Sequence, residues 1–246
     1  MALPKIDVPM FELELPSNGK KVRFRPFTVK EEKLFLMAAQ SEEPDNIINT
    51  IIQVLNNCIL DDFDVQKASL FDIEFLFLNL RARSIGEVVE LSYKCNNEVL
   101  SESGDMKQCG NIVNIDVNLL EIAPDKDNQS DKKIELSGQL GMMMKYPTLN
   151  VLNMEKQNNL DDIDVIIEMI IDCIEYIYDA DSIYYAKDST KEELMEFLDS
   201  LQSKELDKIK SFFDTLPKLE KKIDFDCKKC GHKELITLEG IQNFFV

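Results

Sequence analysis

The stretch DFDCKKCGHKELITL, residues 224–238, decides how this chain is read. Two cysteines, Cys227 and Cys230, flank a two-residue turn, and Gly231 follows. An alternating run, KKIDFD, precedes the turn, and a second, ELITL, follows it. Alternation at period two marks strands on both sides. A tight turn between two strands aims both thiols at one point, and a glycine lets the backbone turn beneath the sulfurs. A redox C-x-x-C would open a helix instead, and ELITL does not read as one.

One such knuckle offers two ligands, whereas structural zinc takes four. The other pair is Cys95 and Cys109. VVELSYKC (88–95) leads into it and NIVNIDVNL (111–119) leads out, and Gly110 follows Cys109 as Gly231 follows Cys230. Thirteen residues separate Cys95 from Cys109 against two in the later knuckle, so the first turn has gained eleven residues. Loop-closure entropy grows slowly with length, so such an insertion is tolerated. The expectation is one structural Zn2+ held by Cys95, Cys109, Cys227 and Cys230, with no position left for a reactant. His232, the single histidine, is the alternative ligand in place of Cys95 or Cys109. The other two cysteines, Cys58 and Cys173, fall in apolar helical stretches, where cysteine acts as a small buried hydrophobe.

The rest of the chain reads as α+β: a helical body with antiparallel hairpins and a zinc-ribbon-like module made by the two distant knuckles. FELELP and VRFRPF around SNGKK predict a hairpin over residues 10–27, with Arg23 and Arg25 engaged in internal ion pairs. Thr28–Glu31 is a capping box opening a helix to Gln40. Pro44 opens a second helix, to about Leu60. A third runs from Ser69 to Ser84. KKIELSGQLGMMMKYP suggests two short strands. Leu160–Tyr178 reads as one long helix whose Glu168, Asp172 and Glu175 form an acidic face. Thr190–Glu193 caps a further helix to about Leu201, and another spans Ser203–Thr215. The predicted domains are 1–85; 86–123 with 217–246 as the composite module; and 124–216, with one compact domain as the alternative.

Composition bounds the function. The 246 residues carry a formal charge of −18, and 44% are hydrophobic. A chain this acidic lacks the basic footprint that binding phosphates requires. No signal peptide and no membrane-length apolar run is read, so the expectation is a cytosolic protein whose cysteines bind metal rather than form disulfides. One histidine, with no G-x-S-x-G and no P-loop, leaves no enzyme centre in view. A zinc-ribbon nucleic-acid or transcription protein is the alternative function, favoured by the ribbon and opposed by the charge.

Laid out in order, LPSNGKKVRFRPFTVKEEKLFLMA (15–38), DDFDVQKASLFDIEFLFLNLRARSIGE (61–87), MKYPTL (144–149) and the C-terminal DFDCKKCGHKELITLEGIQNFF (224–245) resemble the baseplate hub assembly proteins of T4-type contractile-tailed phages. R-P-F-x-V-K-E-E-K is the most specific of these motifs. The spread of Cys95 from Cys109 departs from the family pattern. The resemblance implies a hub subunit or an assembly chaperone that acts by protein–protein binding. Its partners would be other baseplate hub and tail proteins, with no nucleic acid and no membrane. It would work in the host cytoplasm during assembly, with a place in the virion tail as the other possibility. The FRPF segment and the Arg81/Arg83 helix end are candidate special surfaces, with internal framework as the alternative.

Overall fold

In a computed structural model the described residues are 7–40, 44–100, 104–124, 131–151 and 163–240. Strand β1 (Phe11–Glu14) pairs antiparallel with β2 (Lys21–Phe24), and Phe11 stands opposite Phe24. Alternation turns Val22 and Phe24 inward and leaves Lys21 and Arg23 outside, as a half-buried hairpin requires. The outer edge of β2 is extended by a bridge from Phe24 to Ile59. Arg25 N donates to Cys58 O at 3.0 Å, and Leu60 N to Arg23 O at 2.9 Å.

Helix α1 (Val29–Gln40) starts where the Glu31 carboxylate accepts both the Thr28 N–H, at 2.8 Å, and the Thr28 hydroxyl. Helix α2 (Pro44–Cys58) buries Ile51, Val54, Leu55 and Cys58, a spacing that places them on one face. Helix α3 (Leu70–Ser84) is buried nearly all round through Phe71, Ile73, Leu76, Phe77, Leu78 and Leu80, as a central core helix is.

The four arginines of the chain serve mainly as framework. Arg23 clasps Asp61 with Nε at 2.9 Å and Nη2 at 2.6 Å. Arg25 reaches Glu31 at 3.0 Å. Arg81 is buried. Arg83 pairs with Glu87 at 2.8 Å and lies over the Phe11 ring. The FRPF segment and the helix end therefore hold the fold together.

Strands β3 (Val88–Lys94) and β6 (Ile112–Asn118) form an antiparallel pair. Between them, β4 (Glu98–Leu100) and β5 (Met106–Gln108) form a small hairpin of their own. The residues added to the first turn thus contribute a second strand pair beside the knuckle, and residues 101–103 between its arms lie outside the described residues.

Strands β7 (Lys133–Glu135), β8 (Gly141–Met144), β9 (Ile174–Tyr178) and β10 (Ile183–Tyr185) make a four-stranded antiparallel sheet in the order β10-β9-β8-β7. With it go helices α4 (Ile163–Asp172), α5 (Lys191–Asp199) and α6 (Ser203–Asp214). Their shared core holds Met142, Met144, Ile170, Cys173, Ile174, Leu194, Leu198, Ile209 and Phe212. The Thr190/Glu193 capping box is complete, with both reciprocal bonds formed. Strands β11 (Glu220–Asp226) and β12 (Lys233–Glu239) close the described chain as a second long hairpin.

One predicted element is corrected. The helix expected over Leu160–Tyr178 ends at Asp172, and Ile174–Tyr178 is a strand paired on both sides; residues 160–162 lie outside the described residues. Cys173 N donates to both Met169 O and Ile170 O, tightening the last turn. The spacing of Glu168, Asp172 and Glu175 imitates a helical polar face. The β-branched and aromatic run IEYIY prefers a pleated surface, and two partner strands satisfy its backbone. Cys173 thus sits at a helix–strand junction and Cys58 at the last residue of α2, both fully buried. Burial pushes the Cys58 thiol up to about 11 and the Cys173 thiol up to about 12.

The chain divides into two compact units. One comprises Met1–Val65, Asp72–Pro124 and Lys218–Val246; the other comprises Gln66–Phe71 and Asp125–Pro217. All four knuckle cysteines belong to the first.

Candidate metal centre

Each knuckle is built by the same backbone bonds. In the later one, Cys227 N donates to His232 O at 2.9 Å and Gly231 N to Cys227 O at 2.8 Å. In the earlier one, Cys95 N donates to Asn111 O at 2.8 Å and Gly110 N to Cys95 O at 3.0 Å. Gly110 and Gly231 lie at φ 64° and φ 73°, the left-handed region that side chains with a Cβ resist. The eleven extra residues enter between these closing bonds. Cys109 N donates to Asn97 O at 2.7 Å, which shuts the neck of the β4–β5 hairpin and returns the chain to the knuckle. This is why Cys95 and Cys109 meet despite their spacing.

The two long hairpins come together over a small apolar core. Tyr93 packs on Phe225 with ring centroids 5.1 Å apart. Cys95, Cys109, Phe225, Cys227 and Ile236 are buried there, flanked by Val113, Ile115, Ile223 and Leu238. Cys230 alone of the four cysteines keeps partial solvent access.

The sulfurs converge across the hairpins. Cys95 Sγ lies 3.7 Å from Cys230 Sγ, and Cys109 Sγ lies 3.8 Å from Cys227 Sγ, although these residues are 135 and 118 positions apart. All four sulfurs fall within 4.8 Å of one another. A disulfide would need about 2.05 Å. A tetrahedral zinc with arms of about 2.3 Å needs sulfur–sulfur edges of roughly 3.8 Å. The donor set and its dimensions therefore fit a four-thiolate zinc site.

The local field already favours a thiolate at one position. Backbone N–H groups of Cys230 and Lys229 point at Cys227 and outweigh burial, holding its thiol down to about 6. Burial pushes Cys95 up to about 12. At Cys109 a backbone hydrogen bond from Asn111 pulls downward, and burial with the Cys230 and Cys227 thiols raises the thiol overall. His232, the alternative ligand, turns toward Glu234 with Nε2 3.5 Å from the carboxylate, and the sulfur cluster is made by the cysteines alone.

Two participants escape a reading of cysteines alone. Asn97 Nδ2 donates to Cys230 Sγ at 3.7 Å, and Asn111 Nδ2 to Cys227 Sγ at 3.6 Å. The signal was present in the sequence as Cys-x-Asn twice, at Cys95-Asn96-Asn97 and Cys109-Gly110-Asn111.

Fold and site together define an α+β protein whose first unit gathers four cysteines from remote segments into one buried cluster. Its family follows from comparison. The chain belongs to the family described as T4 bacteriophage base plate protein, whose model matches residues 8–246, nearly its whole length. Comparison with curated proteins gives no match, and comparison with solved structures gives none. No helix among the described residues is long and apolar enough to cross a membrane.

Proposed function

We propose that this chain is a non-catalytic baseplate hub protein that acts in assembly of the hub and central spike by binding other tail proteins, with one zinc ion as a structural clip. The carrying observation is the convergence of Cys95, Cys109, Cys227 and Cys230 within a member of the phage baseplate family. When bound, zinc would supply four metal–sulfur bonds joining the β3–β6 hairpin to the β11–β12 hairpin. A ligand set completed by protein leaves no open coordination position, so the role is architectural. The chain's own residues do the rest: the glycine turns aim the sulfurs, and the Tyr93–Phe225 core excludes water from three of them.

The formal charge of −18 supports protein partners over nucleic acid, because phosphate binding rests on basic side chains. The working place is the host cytoplasm during assembly. A tagged chain purified from infected cells should bring down baseplate hub proteins, and infection without the chain should leave hubs unassembled. Its abundance in purified virions then separates a resident subunit from a chaperone that leaves. Capture of no baseplate protein, with normal tails formed in its absence, would refute the proposal.

A further inference from the structure

We infer that Asn97 and Asn111 are positioning residues of the metal centre, each lending a side-chain N–H to a sulfur of the opposite knuckle. The inference rests on the zinc reading above. Both asparagines are fixed twice. Asn97 O accepts from Cys109 N at 2.7 Å and Asn111 O from Cys95 N at 2.8 Å. Their amides then reach across, to Cys230 at 3.7 Å and Cys227 at 3.6 Å. Each residue thus ties a cysteine of its own knuckle through the backbone and a cysteine of the other through the side chain.

The donation runs one way. The matching positions of the later knuckle are Lys229 and His232. Lys229 Nζ goes to Cys109 O at 3.3 Å, and His232 turns to Glu234. Among the described residues the side-chain amides that reach sulfur come from the early knuckle and go to the late one.

The chemistry explains why amides suit these places. Four thiolates around a divalent ion leave a net double negative charge, set here in a chain of formal charge −18. An N–H aimed at sulfur draws electron density from it. This favours the metal-bound thiolate and lowers its nucleophilicity, as outer hydrogen bonds do at other metal–sulfur sites. An amide carbonyl facing a thiolate would be repelled, so the NH2 group is the end that turns in. Cys230 has most to gain, since it is the sulfur with solvent access and the one an electrophile would meet first.

The test uses the full chain loaded with Co2+ for spectroscopy and with Zn2+ for reactivity, with Asn97→Leu, Asn111→Leu, Asn97→Asp and Asn111→Asp. Loss of an N–H donor should move the sulfur-to-cobalt charge-transfer band to lower energy. Alkylation of the zinc-loaded N97L protein by iodoacetamide should quicken about 10-fold, beginning at Cys230, whereas N111L, whose target Cys227 is buried, is read by its cobalt band. The aspartates keep the side-chain shape and reverse its polarity, so they carry the test if the leucine variants do not fold. Metal-loaded variants with unmoved bands and wild-type alkylation rates would overturn the inference while leaving the zinc centre standing. A wild-type chain that develops no cobalt–thiolate bands would overturn the zinc reading and this one with it.

Discussion

Replacing Cys95 with serine should abolish stoichiometric zinc binding and lower the melting temperature by about 8–16 °C. Cys95 belongs to the early hairpin and faces Cys230 of the late one at 3.7 Å. Without it the clip between the two hairpins is open. Structural zinc contributes its binding energy to folding, with apparent values of roughly 10–16 kcal/mol in small zinc modules. If even a third of that is realised, the loss is about 4 kcal/mol; at roughly 2–4 °C per kcal/mol for a chain of this size, the melting shift is about 8–16 °C. Cys173→Ala is the matched control. It also removes a fully buried thiol, but from the other unit, so it should keep the metal. Elemental analysis and calorimetry on both variants check the claim, and full zinc content in the Cys95 variant would defeat it.

The second large effect lies at the entrance to α1. Glu31 is 3% exposed, accepts from Arg25 at 3.0 Å, and also receives the Thr28 N–H. Burial pushes its carboxyl upward, but the Thr28 hydroxyl, the Arg25 guanidinium and the Thr28 backbone together hold it down to about 2. A carboxyl depressed in the folded state stabilises the protein above its unfolded pKa, near 4.5, and loses that contribution as pH falls toward 2. The full shift is worth roughly 3 kcal/mol, and solvent screening around the partly exposed Arg25 reduces the expectation to about 2 kcal/mol. Glu31→Gln should therefore melt about 4–8 °C below wild type at neutral pH. The two melting curves should approach each other between pH 4.5 and 2. A constant gap across that window would show that the ion pair is not the source.

Those two sites were legible in the sequence for different reasons. Glu31 stands three residues after Thr28, and the reciprocal contact of such a box is local. The four cysteines were legible because turn, glycine and flanking alternation occur twice, even with eleven residues inserted. What could not be read was the insert's own hairpin, since EVLSESGDMKQ carries neither a long apolar alternation nor a strong turn pair. The strand Ile174–Tyr178 was hidden by an accident of spacing: three acidic residues repeat at helical intervals across a junction where the helix has already stopped. Its strand partners, Gly141–Met144 and Ile183–Tyr185, act through tertiary pairing, which no local pattern records. The asparagine donors were missed because their targets lie across the site rather than nearby in the chain.

X-ray absorption at the zinc edge of the purified full-length protein addresses the central claim most directly. The account predicts about one zinc per chain surrounded by four sulfur atoms at about 2.3 Å. A first shell containing nitrogen or oxygen, or a well-folded chain that carries no metal, would contradict it.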